Sequence, residues 1–306
     1  VRVVFMGSPE FAVPTLRMLL DTEEIVAVVT QPDKPAGRGQ RVEAPAVKTV
    51  AQARGVPVLQ PARARDPGFQ EQLRVLTPDV AVVVAYGKIL PQAVLDIPRH
   101  GCLNVHASLL PRYRGAAPIQ WALIRGETET GVTIMRLDAG MDTGPMLLWS
   151  KVAIRDDDTA GTLAPRLAGL GAEMMRVALE RLRAGALVET VQDHALATLA
   201  PMLDKDAGAL DFTQPAAAVR NRTRGVDPWP GARTTLAGEP LKLWGARGVA
   251  GRGAPGEVLG VDRDGLVVAC GDGAVAFAEL QLPGRKRLGA QAFAAGRPIP
   301  PGTTLG

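Results

Sequence analysis

Three side chains frame the chemical reading. Asn104 and His106 stand two apart where the apolar run GCLNVHA gives way to SLLPRYRG, and Asp142 lies in the later stretch TIMRLDAGMDTGPM, bracketed by Gly140 and Gly144. On a strand, residues two apart share a face. An amide can donate to a developing oxyanion. A carboxylate can hold an imidazole in orientation and favour its protonated form. Taken singly, each has a structural alternative: a satisfied strand-end histidine, a turn-forming asparagine, a loop-capping aspartate.

Positioning these groups needs an open sheet. Short apolar runs at 1–6, 25–30, 79–87 and 101–107 alternate with helical spacing at PEFAVPTLRMLL and APAVKTVAQARG. That pattern predicts βαβ units and a Rossmann-like open parallel sheet covered on both faces. Ligands of such sheets sit beyond the carboxyl ends of the strands, which is where Asn104 and His106 fall. GVTIMRLDAG and GPMLLWSKVAI read as later strands, and 159–185 as a long amphipathic helix ending on Gly185. From about Ala209 the strands are short and the turns frequent, as in a small β-barrel. The expected organisation is therefore an α/β catalytic domain over 1–185, a linker over 186–208 and a β-barrel (OB-like) domain over 209–306.

The composition bounds the function. With 306 residues, 46% hydrophobic and 22% charged, the chain suits a globular protein of about two domains. No apolar run approaches the about 20 residues that span a bilayer, and the first residues lack a secretory-signal layout. Cys102 and Cys270 offer no metal or redox spacing, so a reducing, cytoplasmic setting and no metal are expected. The net charge is +4. Residues 1–202 carry 22 Lys+Arg against 21 Asp+Glu, and 203–306 carry 13 against 10. The basic excess leans to the C-terminal third and keeps a polyanionic partner open. GRGAPG at 251–256 fits a glycine-rich nucleotide loop only literally, since Pro255 interrupts it and a strand follows. Asp156–Asp158 reads as a solvated turn capping the helix at Thr159.

The stretches VVFMGSPEFAVPTL, QPDKPAGRG, VVVAYGKILP, LNVHASLLPRYRGAAPIQWAL and GVTIMRLDAGMDTGPML together resemble the 10-formyltetrahydrofolate formyltransferase superfamily, and specifically its branch acting on methionyl-tRNA. The likeness is dense over 1–150 and looser through NRTRGVDPWPGART and ELQLPGRKRL. It implies Asn104, His106 and Asp142 as the catalytic set. It also implies 10-formyltetrahydrofolate as the donor and the α-amine of initiator methionyl-tRNA as the acceptor, for translation initiation. His106 and Asn104 would stabilise the oxyanion, while Asp142 orients His106 and relays the amine proton. The folate is expected against Ala85, Tyr86, Gly87, Ile89 and Leu90, the loop Ser108, Leu109, Leu110 and Pro111, and Asp138 and Gly140. Lys34, Arg38 and Arg41 would enter the acceptor stem. Arg220, Arg222, Arg224, Arg285, Lys286 and Arg287 would meet the body of the tRNA, with the protein a monomer. Within the superfamily, a transferase acting on a small amine (a nucleotide sugar or glycinamide ribonucleotide) and a formyltetrahydrofolate hydrolase stand as alternatives. A nonenzymatic RNA-binding protein is the alternative from another class.

Overall fold

The computed structural model describes residues 1–36 and 41–306. The chain divides by its contacts into two compact units. The first comprises 1–118, 129–153 and 164–201; the second comprises 119–128, 154–163 and 202–306.

The first unit is built on a seven-stranded sheet. Its strands are β1 (Arg2–Gly7), β2 (Glu24–Val29), β5 (Val58–Leu59), β6 (Val80–Val84), β7 (Cys102–His106), β8 (Glu129–Arg136) and β9 (Met146–Ala153), in the order β5-β2-β1-β6-β7-β8-β9. A small antiparallel pair, β3 (Lys34–Ala36) and β4 (Arg41–Glu43), stands apart from it. Helices α1 (Val13–Thr22), α2 (Ala46–Ala53), α3 (Pro67–Val75) and α4 (Gln92–Leu95) connect the parallel strands, and α5 (Pro118–Ile124) precedes β8. α6 (Ala160–Arg183) follows β9 and ends before Gly185, whose φ of 64° gives the left-handed stop that glycine allows.

The expected βαβ sheet holds from β5 to β7, where every pairing is parallel, but β8 runs antiparallel to both β7 and β9. The sheet is therefore mixed. β9, at the sheet edge, alternates between part-covered and exposed from Leu148 onward. β6 and β7 are buried throughout, as parallel strands require, and β8 is buried from Thr130 to Met135 although both of its pairings are antiparallel. Val4, Met6, Phe69, Leu73, Val83, Tyr86, Leu90 and Cys102 belong to one buried cluster, and Leu137 packs against it.

The second unit contains α7 (Ala216–Gly225), α8 (Ala290–Gly296) and an antiparallel sheet of β10 (Ala232–Leu236), β11 (Glu239–Val249), β12 (Val258–Asp262), β13 (Gly265–Ala269) and β14 (Ala274–Gln281). The order is β10-β11-β14-β13-β12, with β15 (Leu288–Gly289) paired to β14. The two ends of this sheet are joined by the last residues. Leu305 bridges Leu236 of β10, and Thr304 bridges Glu257 beside β12. The interior holds Leu241, Leu243, Leu266 and Phe277, with Phe212 set edge-on to Phe277 at 6.3 Å and 86°. RNRTRG, which the sequence shows only as a basic group, is the end of α7.

Candidate active site

β7 carries Asn104 and His106 on one face, 8% and 5% exposed. His106 lies opposite Thr133 of β8 in the register. The 137–145 loop then returns Asp142 to the histidine, with Asp142 Oδ2 3.6 Å from His106 Nδ1. That is an ion-pair separation, longer than a hydrogen bond. His106 Nε2 lies 2.9 Å from the Tyr113 carbonyl oxygen. A carbonyl only accepts, so Nε2 carries a proton and Nδ1 is the nitrogen turned to the carboxylate.

The Asp142 loop is held by its own residues. Asp138 Oδ1 accepts from Gly140 N at 3.1 Å and from Thr143 Oγ1 at 2.7 Å. A Cβ at Gly140 would stand 1.9 Å from Thr143 Oγ1, and one at Gly144 only 2.0 Å from the Arg136 carbonyl oxygen. Gly144 is thus required by close approach to the backbone, whereas a side chain at Gly140 would displace that of Thr143. Asp142 itself has φ 54°, a left-handed conformation that aspartate tolerates better than most residues. The Gly115 N–H donates to Asp142 Oδ2 at 2.8 Å.

The loop after β7 is equally fixed. Ser108 is fully buried, its hydroxyl donating to the Arg112 carbonyl at 2.6 Å. Thr133 Oγ1 donates to the Ser108 carbonyl at 2.7 Å and accepts from Leu110 N at 3.2 Å. Leu110 is buried, Pro111 is part-covered, and Leu109 lies over Gly131 of β8. The turn after β6 holds Ala85 at φ 47° and Gly87 at φ 77°. Its Tyr86 carbonyl accepts from Gln31 Nε2 at 3.0 Å and Ser8 Oγ at 3.5 Å, which ties together the carboxyl ends of β1, β2 and β6. Ile89 is 84% exposed, while Leu90 is part of the core, so the two do not line one surface. The Tyr86 side chain is buried and its hydroxyl has no hydrogen-bond partner among the described residues. Burial pushes that phenol up to about 12.

Sequence reasoning missed four contributors to this site: Tyr113, Arg114, Thr133 and Gln192. Thr133 was a β residue like its neighbours. Gln192 lay in a stretch with no periodicity. Tyr113 and Arg114 stand in LNVHASLLPRYRGAAPIQWAL and Thr133 in GVTIMRLDAGMDTGPML, but nothing in those stretches sets them apart from their neighbours.

The basic residues divide. Lys34 is exposed on β3, and Arg41 opens β4. Arg38 lies outside the described residues. Arg285 and Lys286 are exposed in the loop before β15. Arg287 pairs with Glu279 and lies over the Trp244 ring at 4.4 Å. Arg220 pairs with Asp156 at 2.7 Å, which holds that carboxyl below the usual carboxylate range. Arg222 donates to the Ala207 carbonyl at 3.0 Å.

Arg224 contradicts its expected role. It is 8% exposed, and its guanidinium donates to the carbonyls of Arg155, Asp156 and Asp158 and to Asn221 Oδ1 at 2.9 to 3.3 Å. It braces the 155–158 turn and offers little charge to solvent. In that turn Asp158 is also buried, accepting from Arg155 N at 2.7 Å and Thr162 Oγ1 at 3.1 Å, so the turn is anchored and not simply solvated. Among the described residues no group of three or more His, Cys, Asp or Glu is placed to hold a metal, and no helix is long and apolar enough to cross a membrane.

An amide and a carboxylate–imidazole pair thus stand at the carboxyl edge of a mixed α/β sheet, with a separate antiparallel unit following in the chain, an arrangement able to support group transfer. Residues 1–179 match the formyl transferase family and 202–298 match the formyl transferase C-terminal domain. A methionyl-tRNA formyltransferase of Geobacter metallireducens is 52% identical, covering 99% of this chain and 98% of its own. That of Myxococcus xanthus is 51% identical, covering 99% and 97%. Among solved structures, the sugar 3N-formyl transferase WlaRD superposes with TM-score 0.68 at 15% identity, covering 94% of this chain and 99% of its own. HypX from Aquifex aeolicus gives 0.64 at 18%, covering 96% of this chain and 46% of its own. The chain belongs to the methionyl-tRNA formyltransferase family and is a formyl-transferring enzyme.

Proposed function

We propose that the protein transfers a formyl group from 10-formyltetrahydrofolate to the α-amine of methionine on initiator methionyl-tRNA. The observation that carries the acceptor is the 52% identity to a methionyl-tRNA formyltransferase over nearly the whole of both chains. A folate donor accords with the family and with the fold of HypX, solved with tetrahydrofolic acid. The residues fit such a donor. Tyr86 presents an unpartnered buried hydroxyl, Ile89 an exposed apolar face, and the 85–87 turn a rigid strand end.

The donor supplies an activated formyl carbon. The Asn104 amide donates to the charge that grows on the formyl oxygen as the amine adds. The Tyr113 carbonyl already accepts a hydrogen bond from His106 Nε2–H, so the ring acts through Nδ1. Nδ1 and Asp142 together would receive the proton that the amine loses as it bonds the formyl carbon, the carboxylate holding the positive ring; the bond from that carbon to the donor nitrogen would then break and the proton pass to the departing nitrogen. Preorganised donors of this kind require no reorganisation during the reaction. Lys34, Arg38, Arg41, Arg285, Lys286 and Arg287 supply charge for the RNA backbone, whose neutralisation governs affinity and salt dependence. Arg220 and Arg222 remain candidates for the same set; like Arg287, each already has a partner within the protein.

One assay tests the assignment. 10-Formyltetrahydrofolate is supplied with charged initiator tRNA, with uncharged tRNA, with a small amine or with no acceptor, and formyl transfer is followed. Transfer to the charged tRNA alone is expected. Transfer to the small amine, or release of formate without an acceptor, overturns it.

A further inference from the structure

Gln192 is 3% exposed and lies outside every helix and strand, yet its amide is saturated at both ends. Nε2 donates to the Asp142 carbonyl at 2.9 Å and to the Gly144 carbonyl at 2.7 Å. Oε1 accepts from Arg114 Nε at 3.1 Å and Nη2 at 2.7 Å. The orientation is unambiguous. Two carbonyls can meet only the NH2 end, and a guanidinium only the oxygen.

The two segments joined by this amide are the two that set Asp142 against His106. One is the Asp142 loop itself. The other is 113–115, which gives Tyr113 O to His106 Nε2 and Gly115 N to Asp142 Oδ2. Arg114, between those residues, is 7% exposed and also meets His194 Nδ1 at 3.0 Å. Asp142 keeps its left-handed backbone, φ 54°, although the charged site alone does not require it. Such conformations persist where surrounding contacts over-determine them, and the bond from Gln192 to the Asp142 carbonyl is one of those contacts.

We propose that Gln192 is a positioning residue for formyl transfer: by bridging the Asp142 and Gly144 carbonyls to the Arg114 guanidinium, it fixes the separation between the Asp142 carboxylate and the His106 ring. The inference rests on the proton role proposed for Asp142. No group of Gln192 touches the imidazole or the carboxylate, so its effect passes entirely through the loop it holds.

The test is a double-mutant cycle on the full chain with charged initiator tRNA and 10-formyltetrahydrofolate. Gln192→Met keeps the length and removes every hydrogen bond. It should lower kcat by about 10- to 100-fold, as an ångström of misplacement does, with KM for donor and acceptor within about 2-fold. Gln192→Asn keeps the amide but is too short to reach both sides, and should show a smaller loss of the same kind. In an Asp142→Asn background the Gln192→Met cost should shrink below about 2-fold, because coupled residues are not additive. Equal cost in both backgrounds, wild-type kcat for Gln192→Met, or a loss confined to KM overturns the inference. Should Gln192→Met fail to fold, the same criteria apply to Gln192→Asn. Near-normal kcat for Asp142→Asn alone removes the proposed proton role instead, a result separable from the behaviour of Gln192.

Discussion

His106 Nε2 and the carbonyl oxygen of Tyr113 stand 2.9 Å apart, and this contact decides which side of the imidazole faces the chemistry. It places the ring proton away from Asp142 and leaves Nδ1 to the carboxylate 3.6 Å away. The residue that fixes the tautomer therefore contributes only backbone.

Replacing His106 should reveal both roles at once. His106→Ala is expected to lower kcat by about 100- to 10000-fold, the range for losing a positioned acid or base. It also leaves the Tyr113 carbonyl without its donor, at a cost of about 1–3 kcal/mol of stability. Steady-state kinetics and urea denaturation measure the two effects. A variant with near-normal kcat removes His106 from the mechanism.

Thr133 pins the 108–110 loop from the strand opposite His106. Thr133→Val preserves shape and deletes both hydrogen bonds. A destabilisation of about 1–3 kcal/mol is expected, with a fall in kcat/KM for the folate donor exceeding that for the tRNA. Equal effects on both substrates would place the loop's role elsewhere.

The basic residues of the second unit should separate in a salt titration. Arg285→Ala with Lys286→Ala is expected to weaken tRNA binding and reduce the slope of log K against log salt by about 1.8, at about 0.9 per phosphate contact. Arg224→Met should leave the slope unchanged and lower the melting temperature, because it strips a buried donor from three carbonyls. A slope change in the Arg224 variant would contradict its assignment as a brace.

Alkaline pH should destabilise the fold. Burial raises the Cys102 thiol to about 12, the Cys270 thiol to about 11 and the Tyr86 phenol to about 12. Each group is an acid held neutral in the fold. Above the ordinary thiol range, near 9, the unfolded chain loses protons that the native chain keeps, so stability falls as pH rises. The fall begins near pH 9 and levels off near 12. Urea midpoints between pH 8 and 10.5 should decline, and less steeply for Cys102→Ala. A flat profile would show that these groups titrate alike in both states.

Much of this architecture was readable beforehand, for identifiable reasons. β6 and β7 announce themselves because a strand covered on both faces must be apolar throughout. Asn104, His106 and Asp142 were legible as residue types at strand ends and between glycines. The reversal at β8 was not, since an apolar run carries no direction. The burial of Arg224 was also hidden: in RNRTRG it is indistinguishable from Arg220 and Arg222 until α7 turns it toward the 155–158 carbonyls. Gln192 had no signal, because a glutamine saturated by backbone carbonyls looks in sequence like one in solvent.

Short extended segments outside a sheet ordinarily exchange their amides with solvent almost as fast as a free peptide. Here Leu305 donates to the Gly256 carbonyl at 2.8 Å, Val258 donates to Thr303 at 2.7 Å, and Leu305 is 3% exposed. Deuterium uptake at these positions should therefore follow that of β10 and β12 and require the same cooperative opening. Residues 303–305 act as a clasp across the sheet, and loosening them releases both edge strands together.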